Sequence, residues 1–397
     1  MEDTGDQSGW LRNQLVVLTS LFVSRYAISS PRVIVGLLLI EIATAFGLTV
    51  GITGQMTTIS SLVSVIVAFA MGVVSIRFSH KSLLLLGLGF MIAASVGCFV
   101  SSNFPTVVLC YSVVILGGVM AGPMTSTLVA SNFTTHQRSH AMGWLGAGGA
   151  LAVSCGAPII AWIGNWRWAF LGYVTPLVLL SLILVLIGIP RVHRESAGSQ
   201  RTQRYREGFQ EILGNHSAQA CLLGTMLVGA SFQAIFLYAS SFFRQRYLIS
   251  TEVASLFVFG GAMCVTLGSL MSGRFVNRMG RKRLVVLVGG LQSVCIIAYA
   301  TVPSIWFATG ARFIASGMAG VMFSALGSLS LEQLPLFRGT MMSIQTAMSS
   351  IGSALGAGIG GLALHLYDYE LVGISLGILA VIGAVIIRVF TVDPISH

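Results

Sequence analysis

The sequence predicts an all-α membrane protein in which twelve transmembrane helices form two similar six-helix bundles. Of its 397 residues, 55% are hydrophobic and only 9% are charged, whereas a soluble domain carries about 25% charged residues. Apolar runs of roughly 20 residues, long enough to cross ~30 Å of hydrocarbon, recur from end to end. Because lipid offers no hydrogen-bond partners, continuously apolar segments of this length form helices rather than barrel strands.

The predicted spans follow one another through short connections, and one long polar stretch separates the sixth span from the seventh. They cover residues 14–36, 51–75, 82–102, 105–130, 141–163, 168–189, 217–241, 252–273, 284–302, 305–330, 340–364 and 369–390. The chain is thereby divided into an N-terminal tail (1–13), a first bundle (14–190), a linker (191–216), a second bundle (217–391) and a C-terminal tail (392–397).

Basic residues predict the orientation of the chain. The linker and the connections on its side of the predicted bundle carry most arginines and lysines, whereas only Arg167, Arg244 and Arg246 fall in connections on the other side. The positive-inside rule then places both termini in the cytoplasm, with the protein in the plasma membrane. The net charge of +10 is dispersed over short connections, which favours contact with anionic lipid headgroups over nucleic acid.

Two connections at equivalent places repeat a pattern of glycine and cations. The turn after the second span reads GVVSIR from Gly72 to Arg77, and the turn after the eighth reads GRFVNRMGRK. The second copy resembles the loop signature of the major facilitator superfamily, G-x-x-x-D-R-x-G-R-R/K, which implies a gating role for both loops. Ile76 and Asn277 occupy its acidic position, so the charge relay of the family is not carried over. The matching residues are Gly273, Arg278, Gly280, Arg281 and Lys282.

The fifth span and the turn after it are similar to the fifth-helix motif of the drug:proton antiporters in that superfamily. The segment from Val35 to Ala43 also resembles the end of the first helix in sugar-efflux members. Together with the six-plus-six organisation, these resemblances imply a secondary active transporter that exports a small organic solute by alternating access. The residues that match the fifth-helix motif are Gly156, Pro158, Trp166 and Arg167.

Besides Arg388 at the end of the twelfth span, three arginines fall within predicted spans. Arg25 lies near the middle of the first span, Arg32 follows on roughly the same face, and Arg312 lies in the tenth span. An arginine at mid-bilayer costs at least ~2.5 kcal/mol on insertion scales, so it is expected to face a cavity or a partner. The family fold implies that Arg25 and Arg312 lie in its central cavity. They either attract an anionic group or bond to backbone carbonyls, such as those that Pro31 frees; Arg32 can instead reach outer water.

Further polar side chains complete the predicted cavity, although each can instead form an interhelical hydrogen bond. They are Tyr26, Gln55, Tyr111, Gln233, Tyr238 and Gln345. The acidic residues lie in tails, in connections or near span ends. If proton binding competes with substrate binding, Glu41 and Glu332 are the carboxylates predicted to carry it.

Export of a small organic solute is the first functional prediction. A carrier of small organic or inorganic anions is the alternative, and a non-transporting receptor is a third class that the duplicated organisation disfavours. No Walker, HExxH or GxSxG motif and no metal-ligand spacing of cysteines is present, so we predict no enzyme, no metal and no cofactor beyond a coupling proton or ion. The expected partners are membrane lipid and a small-molecule substrate, and the protein is expected to be a monomer.

Overall fold

A computed structural model describes residues 4–190 and 198–393, and every regular element in these ranges is helical. We number the membrane spans α1 to α12. The first bundle consists of α1 (Thr4–Leu37), α2 (Val50–Arg77), α3 (His80–Val100), α4 (Phe104–Asn132), α5 (Thr135–Ser154 and Gly156–Ile163) and α6 (Trp166–Trp168, Ala169–Val174 and Thr175–Gly188). The second consists of α7 (His216–Tyr247), α8 (Thr251–Met279), α9 (Arg281–Thr301), α10 (Ile305–Gln333), α11 (Arg338–Leu366) and α12 (Tyr369–Phe390). Shorter helices cover Leu39–Ala45, Gly198–Gly214 and Pro335–Phe337.

The predicted fold class is confirmed. Within the two described ranges, 11 helices are long and apolar enough to cross a membrane, and the count is 12 when α1 and Leu39–Ala45 are taken as one span. These two helices meet at 64° because Leu38 leaves the helical conformation, with φ −104° and ψ 28°. The bend brings Leu39–Ala45 into contact with α7 of the other bundle.

The two bundles repeat the same set of helix neighbours. α1 packs against α4, α5 and α6, just as α7 packs against α10, α11 and α12. α3 contacts α4 and α6, and α9 correspondingly contacts α10 and α12. Between the bundles α1 faces α7, α2 packs along α11 and α5 along α8. The bundles are therefore pseudo-symmetric, since the α2–α11 pair and the α5–α8 pair are equivalent contacts.

The segment between the bundles contains a helix of its own. Gly198–Gly214 contacts α2, α7 and α11, and Ile212 is only 3% exposed beside Leu334 and Met341. An amphipathic helix therefore lies across one end of the bundle where the sequence indicates a polar linker. We call this end the linker end and the opposite end the far end; the distribution of charge predicts that the linker end is cytoplasmic.

Polar side chains at the helix starts explain where several spans begin. The first N–H groups of a helix have no intrahelical acceptor, so a side-chain oxygen just before the helix stabilises its start. Such caps accept from a backbone N–H two or three residues later at Thr49, Ser79, Asn103, Asn165, Asn215 and Ser250.

Glycines set how closely helices approach within each bundle. In the first bundle, Gly87 of α3 and Gly117 of α4 each face the other's carbonyl oxygen. In the second bundle, Gly268 of α8 faces the backbone of Gly317 of α10, with no room for a Cβ atom between them. Since water does not drive helices together inside lipid, this close backbone packing is a main source of stability.

Replacing Gly268 with alanine is therefore expected to lower the thermal unfolding midpoint of the purified protein. The added Cβ must displace the backbone of α10, and overpacking of this kind typically costs about 1–3 kcal/mol. Gly327→Ala is the matched control, because nothing lies within 4 Å of a Cβ added there and alanine favours helix. Unfolding is monitored by intrinsic fluorescence in detergent. Equal midpoints for the two variants would contradict the close packing of Gly268 against α10.

Candidate functional site

A small cavity of about 30 Å³ lies between the two bundles. Helices of both bundles supply its wall, which mixes hydroxyl, amide and guanidinium groups with apolar side chains. The lining residues are Arg32, Thr57, Ser60, Ser61, Tyr111, Ile115, Gln233, Phe236, Leu237 and Ser353. Tyr111 and Gln233 are thus the two polar residues of the predicted set that line it, and Arg32 is the arginine that lines it.

The cationic side of the cavity is built by α1. Arg32 is exposed and lines the cavity. Arg25, which the family resemblance also implies for the cavity, is not among its lining residues and lies two turns earlier on the same helix, about 10 Å along its axis. The Arg25 guanidinium runs between α4 and α5: a Cβ added at Gly122 would lie 3.4 Å from its Nη1, and one added at Gly149 would lie 3.7 Å from its Nε. Glycine at these two positions therefore makes room for the side chain.

Hydroxyl groups of α2 form the adjacent wall. The Thr57 hydroxyl is buried and lies beside the Tyr111 hydroxyl of α4. The Ser60 hydroxyl lies 3.0 Å from that of Ser112, and the Ser61 hydroxyl donates to Ser353 of α11 at 3.2 Å. The last bond crosses from one bundle to the other, so it joins the bundles at the cavity itself.

The bundles are also joined at the far end. Both carboxylate oxygens of Glu41 contact Arg244 at the end of α7, at 2.8 and 2.9 Å, and Thr251 donates to the same carboxylate at 3.4 Å. The Ser240 hydroxyl donates to the Leu37 carbonyl at 3.0 Å. Leu37 ends α1, so its carbonyl lacks an intrahelical donor, and the second bundle supplies one. These contacts close the far end above the cavity.

Two predicted cavity residues take part in helix packing instead of lining the wall. The Gln55 amide donates to the Gly358 carbonyl of α11 at 3.3 Å. The Tyr238 hydroxyl donates to the Ala357 carbonyl, also of α11, at 2.9 Å. Both bonds satisfy polar groups between helices, the alternative that the sequence left open for each of them.

The structure places Tyr26 and Gln345 away from the cavity as well. The Tyr26 hydroxyl lies 2.8 Å from that of Tyr173 in α6, so it joins two helices of the first bundle. Gln345 is buried in α11, and its Oε1 has no partner among the described residues.

Arg312 requires a correction, because the family resemblance implies a cavity position for it. The side chain is only 4% exposed and lies between α10 and α8, inside the second bundle. Its Nη1 donates to the Phe257 carbonyl at 2.8 Å, and the guanidinium stands 5.9 Å from the centre of the Phe243 ring. Arg312 is thus a structural arginine, whose charge is offset by a carbonyl dipole and an aromatic face.

The fifth-helix motif joins α6 to α3 at the far end. Asn165 accepts from the backbone N–H of Arg167 at 2.9 Å and so starts α6. The Arg167 guanidinium donates to the Phe99 carbonyl near the end of α3 at 3.0 Å and stacks on Trp166 at 4.7 Å. Gly156 lies against the Tyr173 hydroxyl, while Pro158 lies within the helix Gly156–Ile163.

The loop signature lies at the linker end. Gly280 has φ +76°, a left-handed conformation that favours glycine, and it separates α8 from α9. Gly273 and Arg278 are exposed, Lys282 is half-buried, and Arg281 has a buried Nη1 without a partner in the described ranges. The surroundings of Gly72 and of the Arg77 side chain lie outside what the structure describes. Glu332, the second predicted coupling acid, is half-buried at this end of α10.

Sequence reasoning left several cavity residues out, although a signal for them exists. Thr57, Ser60 and Ser61 stand at positions i, i+3 and i+4 of α2, and such residues share one helix face. Gln233 and Phe236 repeat the first spacing on α7. A polar stripe on one helix opposite a mixed stripe on another indicates a shared cavity more specifically than isolated polar residues do.

Two pseudo-symmetric six-helix bundles that meet around a central polar cavity define a membrane carrier rather than an enzyme. The chain belongs to the Major Facilitator Superfamily, whose family model matches residues 17–305 and 221–397. The resemblance seen in the loop signature is thereby confirmed.

Relatives match this chain over most of its length. The MFS-type transporter YwfA of Bacillus subtilis is 21% identical over 379 residues, which cover 94% of this chain and 91% of YwfA. A probable sugar efflux transporter of Helicobacter acinonychis is 23% identical over 353 residues, or 86% of this chain and 88% of that protein. Among solved structures, a bacterial homologue of the human lysosomal transporter Spinster is 16% identical with a TM-score of 0.76, covering 95% and 96% of the two chains.

Removal of the buried Arg312 and removal of the cavity-lining Arg32 are expected to change the stability of the protein differently. Arg312→Ala removes the bond that joins α10 to α8 at the Phe257 carbonyl and opens a void, so the thermal unfolding midpoint should fall, by about 2–4 kcal/mol of unfolding free energy. Arg32→Ala removes a side chain that has no described partner, so the midpoint should stay the same or rise. A larger loss for Arg32→Ala than for Arg312→Ala would contradict these assignments.

Proposed function

We propose that the protein is a secondary active transporter that exports a small organic solute by alternating access through the cavity between its bundles. The observation that carries the proposal is the cavity itself, whose wall is shared by both bundles and whose far end is closed by contacts between them. Similarity to a probable sugar efflux transporter and the fifth-helix resemblance support the export direction. The distribution of charge supports a plasma-membrane location with the linker end in the cytoplasm.

Alternating access requires that the far-end contacts break and re-form. The Arg244 and Glu41 side chains are 16% and 23% exposed, so water only partly screens their bidentate ion pair. The pair therefore stabilises the closed far end. Opening requires that water solvates both charges or that a proton neutralises Glu41, and substrate binding is able to shift the balance.

Glu41 is also the more attractive of the two predicted coupling acids. Protonation would remove its charge and with it the ion pair that joins the bundles. A proton bound at Glu41 would thus favour opening of the far end, which links proton binding to the conformational change. Glu332, at the opposite end of the protein, is the corresponding carboxylate on the linker side.

A carrier of small anions is the second candidate function. It is favoured by one observation, namely that a positively charged side chain, Arg32, lines the cavity.

Breaking the far-end ion pair is expected to expose the cavity to the far side. With a single added cysteine, Gln233→Cys, a membrane-impermeant thiol reagent applied to intact cells should react several-fold faster after Arg244→Gln. Arg246→Gln is the matched control, because Arg246 pairs with Glu370 at 3.0 Å inside the second bundle and joins no helices across the interface. An equal increase of the reaction rate in both variants, or no increase in Arg244→Gln, would contradict the proposal that the Glu41–Arg244 ion pair closes the far end.

Cross-linking the bundles at the cavity should stop transport. Ser61 and Ser353 lie in hydrogen-bond contact across the interface, so the double variant Ser61→Cys, Ser353→Cys should form a disulfide on oxidation. Uptake of radiolabelled sugars and aromatic acids into inverted membrane vesicles, which reports export, should then fall to background and recover on reduction. Unchanged uptake by the oxidised protein would contradict alternating access at this cavity.

A further inference from the structure

The two arginines of α1 have no counter-charge near them. Neither Arg25 nor Arg32 takes part in an ion pair within residues 4–190 and 198–393. Both lie on one side of α1, because seven residues correspond to nearly two full helical turns. The interior of the transporter therefore carries two positive charges along one wall, in a medium where an uncompensated charge is costly.

The acidic side chains of the described ranges do not reach this wall. Glu41 is bound by Arg244, and Glu370 is bound by Arg246, both at the far end. Glu252 is exposed at the start of α8, and Glu332 lies at the linker end. None of the described residues that line the cavity is acidic, so within the described ranges a negative charge at this wall comes from solvent or from a bound solute.

Arg312 shows how this chain accommodates an intramembrane arginine that has a purely structural role. Its guanidinium is bonded to the Phe257 carbonyl and stands over an aromatic ring. Arg32 has none of these partners and is exposed to the cavity. The difference lies in the surroundings and not in the residue type. The fold gives the Arg312 guanidinium a carbonyl and an aromatic ring, although its buried Nε has no described partner, and it gives Arg32 neither.

Groups beside Arg32 complete a binding site for an anion with an organic body. The Thr57 and Tyr111 hydroxyls lie together in the wall that Arg32 also lines, and the Gln233 amide adds donors from α7. Ile115 and Phe236 form an apolar wall to the same cavity. A guanidinium with neighbouring neutral donors suits a carboxylate or phosphate, and the apolar wall suits the rest of a small organic molecule.

We propose that the cavity binds a small organic anion, with its carboxylate or phosphate group held at Arg32 and attracted along α1 by Arg25. The inference rests on the proposed transport through this cavity and names the chemical class of its solute. The exporter and the anion carrier then become one function, since the exported organic solute is itself an acid.

The test measures the charge preference of the cavity with the full chain in detergent. Gln233→Cys places a thiol in the wall, and its reaction rate is compared for anionic 2-sulfonatoethyl and cationic 2-trimethylammonioethyl methanethiosulfonate, after subtracting the reaction of the parent chain, whose Cys155 is exposed. The ratio of the anionic to the cationic reaction rate should be higher for this cysteine than for a free thiol in solution. Arg32→Gln should reduce that preference about tenfold, as expected for one charge several ångströms away at intermediate dielectric; Arg25→Gln should reduce it less.

Two variants separate charge at the site from general damage to the fold. Arg32→Lys keeps the positive charge and should retain the preference for the anionic reagent. Arg312→Gln removes an intramembrane arginine outside the cavity and should leave the preference unchanged. An equal effect of Arg312→Gln and Arg32→Gln would overturn the proposal.

Protection experiments identify the kind of anion. Benzoate should slow modification of the cysteine by neutral methyl methanethiosulfonate, whereas uncharged benzamide should not, and the effect should vanish in Arg32→Gln. Protection by inorganic phosphate but not by benzoate would overturn the organic class, and protection by neither would show a positive field without a binding site.

The remaining outcomes distinguish this inference from the proposed function. Charge-independent rates in every variant would overturn the anion site and leave the transport cavity intact. A cysteine that no reagent modifies would contradict the accessible cavity, and with it both proposals.

Discussion

The absence of water in the hydrocarbon core is the constraint on which the rest of this structure depends. Helices satisfy their own backbone groups except at their ends, and the chain meets those exceptions with side chains from neighbouring helices. The Leu37 carbonyl receives the Ser240 hydroxyl, and the Phe99 carbonyl receives Arg167. One hydrogen bond therefore satisfies a carbonyl at a helix end and at the same time joins two helices. This explains why polar residues concentrate at both ends of the bundle.

The same constraint sorts the charged side chains by their surroundings. Arg312 is buried and bonded within one bundle, whereas Arg244 and Glu41 pair between bundles at a partly exposed position. Arg32 is tolerated without a described partner only because it faces a cavity that admits water or solute. A cation within one bundle, a cation paired between bundles and a cation at the cavity are thus distinguished by what lies around them, although all three are arginines on apolar helices.

This dependence on surroundings explains how far the sequence was informative. Span positions follow from length and apolarity alone, and the predicted span 82–102 compares closely with α3, His80–Val100. Leu38 is neither glycine nor proline, so the residue at the bend does not predict it. The position of Glu41 against α7 therefore does not follow from the sequence. Which residues face the cavity depends on the rotation and tilt of each helix, and residue type alone does not determine either.

The arginines illustrate the limit most clearly. Arg312 and Arg25 have similar apolar sequence neighbours, yet one is bonded to α8 and the other runs past two glycines on different helices. Arg32 stands near the end of α1, where a straight helix would let it reach outer water. Because α2, α4 and α7 close around that part of α1, its side chain instead lines the cavity, a result that only the three-dimensional packing provides.

Contacts within and between the bundles combine backbone packing with side-chain bonds in different proportions. Within a bundle, backbones touch at glycines such as Gly117 and Gly268. Between the bundles, Gly51 of α2 and Gly361 of α11 also approach closely, whereas around the cavity and at the far end the bundles meet through the Ser61–Ser353 hydrogen bond and the Glu41–Arg244 ion pair. A side-chain hydrogen bond can be exchanged for one with water at a net cost of about 1 kcal/mol, while touching backbones have no such substitute. The side-chain part of the interface is therefore the part that the proposed opening would use, and the cavity lies within it.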